Sequence, residues 1–206
     1  MLIAIEGVDG GGKSSLISML EKYLINKSKN VKITREPGGT PLAEALRDAL
    51  LDDYESEVVY KQTELLVMLA ARLQHCKNVI EPHIDAGGVM ITDRFEASTS
   101  VYQCGGVESM SKLYEDTKKA IGLTTKADIT FVLDISFEVF RERMGNRNLT
   151  NRLDPTSEAI FNKIRDGYRD FANSDDQAII IDASGTEQET YQAAIEALEK
   201  LITKSR

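Results

Sequence analysis

Apolar positions along the chain follow two rhythms. Short, largely apolar runs of strand length occupy 2–5, 31–34, 89–92, 129–133 and 178–181. Between them lie longer stretches in which apolar residues recur every third or fourth position, the spacing of a helix with one buried face. Leu16, Ile17, Met19, Leu20, Tyr23 and Leu24 mark the first such stretch. Pro41 opens a second, carried by Leu42, Leu46, Ala49 and Leu50, because proline suits the first helical turn. Residues 62–84 read as a long helical segment, broken or kinked near Pro82. Further helices are expected over 108–121, 136–144, 157–172 and 187–203. Apolar strands separated by helices build a parallel sheet buried on both faces. The pattern therefore predicts an α/β fold, a five-stranded parallel sheet flanked by helices. The polar stretch 145–155, GNRNLTNRLDP, is too short to link domains and reads as a mobile loop inside one domain spanning 1–206.

Composition narrows the function classes. The 206 residues carry 33 acidic and 25 basic side chains, a formal net charge of −8. That balance argues against a nucleic-acid coat or a basic membrane-surface protein. Any anionic ligand must be held by a local cationic cluster. The two cysteines, Cys76 and Cys104, cannot form a disulfide framework and suit a reduced compartment. Residues 1–7 lack the charged and apolar regions of a signal peptide, and the longest apolar stretch, 65–71, is too short to span a bilayer. A cytoplasmic protein without membrane or nucleic-acid partners is expected.

The strongest motif is Gly7-Val8-Asp9-Gly10-Gly11-Gly12-Lys13-Ser14, followed by Ser15. Two glycines five apart, then Lys and Ser, fit the phosphate loop between a strand and a helix. Successive main-chain N–H groups wrap the phosphates, the lysine meets the β and γ oxygens, and the serine hydroxyl serves Mg²⁺. The following helix adds its positive end. The motif implies nucleotide binding and leaves two classes of output, a small-molecule kinase or a nucleotide-dependent switch or assembly protein. A guanine-nucleotide switch needs an Asp-x-x-Gly element and then an Asn/Thr-Lys-x-Asp element. Asp182-Ala183-Ser184-Gly185 and Thr125-Lys126-Ala127-Asp128 occur in the reverse order and read as coincidence.

The arginines add to this. Arg141, Arg143, Arg147 and Arg152 lie close together around the polar stretch, either a solvated basic helix end or a phosphate-binding lid over about 143–155. Asp93-Arg94 follows the third strand, where side chains at a strand's carboxyl end face a ligand crevice. Asp93 could serve Mg²⁺ and Arg94 an acceptor phosphate, or the two could form a surface ion pair. Arg72 sits on a nearly all-apolar helix and needs a buried partner, a substrate carbonyl or an acidic side chain. His75 and His83 show no metal spacing and are expected on the surface or in helix packing.

Together these residues resemble the thymidylate kinase family. The strings that carry the resemblance are IEGVDGGGKSS at 5–15, TREPGGTPLAEALRD at 34–48, LAARLQ at 69–74, TDRFEASTSVYQCGG at 92–106, DITFVLD at 128–134 and IIIDAS at 179–184. The resemblance implies a nucleoside monophosphate kinase fold with a short mobile lid, ATP and dTMP as substrates, Mg²⁺, and a homodimer packed through helices. It implies that Asp9 lies near the sugar 3′-hydroxyl and the metal waters, and that Arg47 and Arg94 grip the acceptor phosphate. It places Arg72 on the thymine O4, Ser98, Thr99 and Gln103 along the base, and Tyr102 against the deoxyribose. Gly10 stands where one subclass has a basic residue, so the chain looks like the bacterial type, with Arg143, Arg147 and Arg152 as lid candidates. Met68 stands where the family usually stacks a phenylalanine on the base; either it simply fills core, or the pocket is looser and the acceptor is another or a broader set of deoxynucleoside monophosphates.

Overall fold

The computed structural model describes residues 1–145, 155 and 157–204. Five parallel strands form one sheet in the order β2-β3-β1-β4-β5. They are β1 Leu2–Gly7, β2 Val31–Arg35, β3 Val89–Asp93, β4 Ile129–Asp134 and β5 Ala178–Asp182. Each strand runs one or two residues beyond its expected apolar run, and the added residues, Glu6, Arg35, Asp93, Asp134 and Asp182 among them, gather chemistry at the carboxyl end of the sheet. Register pairs Ile5 with Asp93 and Gly7 with Leu133, so the phosphate-loop strand is central.

Both faces of β1 are covered, as its unbroken apolar run requires. Ile3 and Ile5 face a core shared with helices α1 (Lys13–Asn26), α8 (Glu158–Ser174) and α9 (Glu187–Lys204). Leu2 and Ala4 face the opposite core, shared with α3 (Lys61–His75) and α6 (Glu108–Ala120). Helix α2 (Pro41–Leu51) begins with Thr40, whose hydroxyl accepts the Ala43 N–H, and with proline in the first turn. Ser136 caps α7 (Phe137–Met144) in the same way.

The segment expected to break near Pro82 is continuous. Helix α3 widens into a π turn at Cys76–Ile80, where the Glu81 N–H reaches the Cys76 carbonyl, and resumes as α4 (Glu81–Asp85). A wider turn accommodates a proline that has no N–H and whose ring would crowd the preceding carbonyls. A short helix, α5 (Glu96–Thr99), continued by a second π turn at Ser100–Cys104, lies where no helix was expected. Its run of Ser, Thr and Val has poor helix propensity, and packing overrides it. Most of the expected lid, with Arg147 and Arg152, lies outside the described residues. No described helix is long and apolar enough to cross a membrane.

Candidate active site

At the end of β1 the chain turns at Gly7, with φ of 128°. A Cβ there would sit 2.5 Å from the Leu133 carbonyl oxygen on β4, so only glycine fits. Gly12, with φ of 92°, caps α1 in the left-handed conformation. The two glycines thus bend the backbone into a loop that ends in the free N–H groups of a helix, the arrangement that binds anions. A cavity of about 400 Å³ lies over it, lined by Asp9, Gly10, Gly11, Gly12, Lys13, Ser14 and Ser15, and by Asp93, Arg143, Ala183, Glu187 and Thr190. Arg143 closes one side, donating to the carbonyls of Ala183 (2.8 Å), Gly185 (3.0 Å) and Gly10 (3.4 Å). The Ser15 hydroxyl donates to Glu187 at 2.5 Å.

Lys13 is buried inside the loop. Its ammonium donates to the carbonyls of Gly7 (3.1 Å) and Val8 (3.0 Å) and to Asp9 Oδ1 (3.1 Å), one acceptor for each of its three hydrogens. Burial, reinforced by Arg94, lowers its pKa from the ordinary value. Asp9 Oδ1 also accepts from Arg94 Nη2 at 2.7 Å. Burial alone would raise the Asp9 pKa, but the charges of Arg94 and Lys13 outweigh it and hold the carboxyl well below the usual range.

A second cavity, of about 190 Å³, opens on the other side of Asp9. Arg35, Glu36, Pro37 and Arg47 line it from the β2–α2 side, Met68 from α3, and Arg94, Phe95, Ser98, Tyr102 and Gln103 from the segment after β3. Arg47 donates to the Pro37 carbonyl at 3.0 Å. Arg94 has a φ of 69°, unusual for a side chain with a Cβ, and its guanidinium lies 5.5 Å from the centre of the Tyr102 ring. Asp9 and Asp93 line both cavities. Asp93 Oδ1 is buried and has no hydrogen-bond partner among the described residues.

Arg72 and Thr99 are not among the residues that line this cavity. Arg72, 1% exposed, lies behind its wall. It donates to Glu36 (2.6 Å), Tyr114 (3.0 Å), the Phe95 carbonyl (2.8 Å) and the Thr99 hydroxyl (2.9 Å). Of the two partners open to it from the sequence, the structure supplies the acidic side chain. Burial would weaken its hold on the proton, and Glu36 more than offsets that, so its pKa is raised. His75 is fully buried, so of the two expected places, surface or helix packing, it is not on the surface: Nδ1 lies 3.0 Å from Glu36 Oε1 and Nε2 lies 2.6 Å from the Thr34 hydroxyl. His83 is buried too, against the carbonyls of Asn30 and Val89.

The family model for thymidylate kinase matches residues 5–195. The chain belongs to the thymidylate kinase family. A thymidylate kinase of Idiomarina loihiensis is 36% identical over 200 residues, 97% of each chain. One of Nitrosospira multiformis is 39% identical over 184 residues, 88% of each. The crystal structure of the Ehrlichia chaffeensis thymidylate kinase superposes with a TM-score of 0.73 at 28% identity, covering 96% of this chain and 98% of that one. The fold is that of phosphate-loop nucleoside monophosphate kinases, and the chain is of the bacterial type.

The fold brings the family's motif positions to two adjoining cavities. Gly7 and Val8 form the loop that Lys13 grips, while Asp9, Arg47, Met68, Arg94, Ser98, Tyr102 and Gln103 meet at the smaller cavity. The two switch-like strings have structural work instead: Asp128 accepts the Leu2 N–H at 2.7 Å and Asp182 that of Ser184 at 2.9 Å. Sequence reading passed over Glu6, Glu36 and Tyr168, all buried at the site. Glu6 carried a signal, a carboxylate ending an apolar strand, and Glu36 lies in the string at 34–48, while Tyr168 carried none.

Proposed function

We propose that the chain transfers the γ-phosphoryl group of ATP to dTMP, giving dTDP, with the two nucleotides tail to tail across Asp9 and Asp93. The observation that carries this is the pair of cavities sharing those two carboxylates, one framed by the phosphate loop and the other by Arg47 and Arg94. Phosphoryl transfer needs in-line alignment and charge neutralisation, with little covalent chemistry. No covalent nucleophile is assigned. The attacking atom is an oxygen of the dTMP phosphate, which needs no strong base at neutral pH.

Lys13 exchanges its carbonyl partners for β and γ oxygens, which are stronger acceptors for an ammonium. Arg94 and Arg47 fix the acceptor phosphate, and Asp9 holds Arg94 between the two sites. Arg72, enclosed behind the wall, does not face the cavity in which the thymine O4 would lie; it acts on the base through Glu36 and Phe95, which line that cavity. Ser98 and Gln103 frame the base and Tyr102 the sugar, while Thr99, fully buried and off the cavity lining, accepts from Arg72 instead. Arg143, at the edge of the phosphate-loop cavity, would help exclude water from the transferring group; Arg147 and Arg152, the other lid candidates, lie outside the described residues. Mg²⁺ fits the residues present: the buried, unpartnered Asp93 Oδ1 and the exposed Ser14 hydroxyl would hold it, directly or through water. Bound there, it supplies charge neutralisation on the β and γ phosphates. The exposed apolar side chains Leu42 on α2, Val58 and Tyr60 in the following loop, and Leu66 on α3 support a homodimer packed through these helices.

The test is an acceptor panel of dTMP, dUMP, dCMP and dGMP with ATP, read by product mass. Stoichiometric dTDP is expected; ATP hydrolysis indifferent to every monophosphate would support the switch reading instead. One observation favours a broader acceptor set: Met68, 4% exposed, lines the smaller cavity. A thioether covers a base face without a fixed aromatic plane. The panel should therefore show incomplete discrimination, since the thymine methyl alone contributes only about 1–3 kcal/mol. Met68→Phe should lower the KM for dTMP, and an unchanged or raised value counts against a loose pocket.

A further inference from the structure

Arg94 is held by a run of hydroxyls that begins on a buried carboxylate. Glu6, near the carboxyl end of β1, is fully buried. Its Oε1 accepts the N–H groups of Phe95 (2.7 Å) and Ser98 (3.1 Å), and its Oε2 accepts the Ser98 hydroxyl at 2.5 Å. A serine hydroxyl has a single hydrogen. With that hydrogen on Glu6, the 2.9 Å bond between Ser98 Oγ and the Tyr168 hydroxyl is donated by Tyr168. The Tyr168 oxygen then accepts from Arg94 Nη1 at 2.7 Å. Every donor in the run from Arg94 through Tyr168 and Ser98 to Glu6 points the same way.

The consequence for Arg94 follows from counting its hydrogens. Nη1 faces Tyr168, Ser98 Oγ (3.0 Å) and the Gly7 carbonyl (3.2 Å), so its two hydrogens are engaged by protein. Nη2 gives one hydrogen to Asp9. The Tyr102 hydroxyl also borders the guanidinium. The edge turned away from Tyr168 carries Nε and Nη2, the side-on pair that meets two oxygens of one phosphate at once. Tyr168 itself is 2% exposed and lines neither cavity. Its ring stands edge-on to Tyr102, with centroids 6.3 Å apart. The left-handed backbone of Arg94 is a conformation that surrounding structure has to impose.

We propose that Tyr168 is a positioning residue for the acceptor: its hydroxyl, oriented by Glu6 through Ser98, turns Arg94 so that the Nε–Nη2 edge meets the acceptor phosphate. The inference rests on the reading of Arg94 as a ligand of that phosphate. Tyr168→Phe removes the hydroxyl and keeps the buried ring. In the full chain it should raise the KM for dTMP about tenfold, the scale of one hydrogen bond to a charged group. The KM for ATP and the Tm should stay near those of the parent. Glu6→Gln turns the Ser98 hydroxyl round and should raise the dTMP KM through the same run. The Glu6→Gln, Tyr168→Phe double variant should then be little worse than the poorer single, because both act on one chain of bonds. Multiplying effects, or equal rises in the KM for both substrates, would overturn the relay. So would an unchanged dTMP KM in Tyr168→Phe when Arg94→Ala has lost dTMP use. If Arg94→Ala keeps full dTMP use, the assignment of Arg94 falls first and the relay with it.

Discussion

Lys13→Ala is expected to lower kcat by about a thousandfold or more, the scale of removing a preorganised charge from a developing oxyanion. The fold should survive. The ammonium is buried, but its partners are two loop carbonyls and Asp9, and Asp9 keeps Arg94 as a partner at 2.7 Å. The change removes no apolar core side chain, since of the core residues only Val8 meets the ammonium, and through its carbonyl. Circular dichroism and Tm should therefore match the parent while turnover collapses. The KM for dTMP should move far less than kcat, because the acceptor cavity does not include Lys13. A variant that keeps most of its turnover would remove Lys13 from the chemistry, and one that unfolds would make the lysine a strut of the loop.

The phosphate loop was legible because its requirements are local. Gly7 must take a φ of 128°, Gly12 a left-handed φ of 92°, and Lys13 must follow at once; eight consecutive residues record all of it. The central strands β1, β3 and β4 were legible for a similar reason, since burial on both faces leaves an apolar run, whereas the edge strands β2 and β5 are only partly buried. The segment 96–104 was not. Its Ser, Thr and Val argue against a helix, yet Ala97, Ser98, Thr99 and Val101 are buried there and set the backbone.

The second layer of the site was the least legible, because it is assembled across the topology. Tyr168 reaches Arg94 from 74 residues away, and Glu36 reaches Arg72 from 36 residues away. No periodicity encodes such a meeting. The sequence does show that Arg72, on an apolar helix, needs a partner, and it leaves open which one. The identity of that partner is a tertiary fact. The sequence left His75 between surface and helix packing for the same reason: its partners, Thr34 and Glu36, sit on and just after β2, which meets α3 only through the fold. Arg147 and Arg152 fall outside the described residues, so their part in the site still rests on the family resemblance.

Arg72→Ala should cost about 3–5 kcal/mol of folding free energy, the loss on stripping one partner from a buried ion pair. Both partners are almost fully enclosed, with side chains 1% exposed, so solvent screens little of the interaction. Alanine would leave the Glu36 carboxylate with His75 alone among the described side chains, and would also strand the Phe95 carbonyl and the Thr99 hydroxyl. Against a typical total of about 5–15 kcal/mol, this is a large share, and urea unfolding should show it as a lower midpoint. Replacing both charges, Arg72→Met with Glu36→Gln, should be less damaging than Arg72→Ala, since no buried charge is then left alone. The functional loss should be one-sided. Glu36 and Phe95, which Arg72 holds, line the acceptor cavity and not the phosphate-loop cavity. Below its unfolding midpoint, Arg72→Ala should lose dTMP phosphorylation far more than acceptor-free ATP hydrolysis. Equal losses would detach Arg72 from the acceptor side and leave it a purely structural arginine, whereas a selective loss with unchanged stability would mean that the Glu36 pair orients the wall of the pocket without holding the fold.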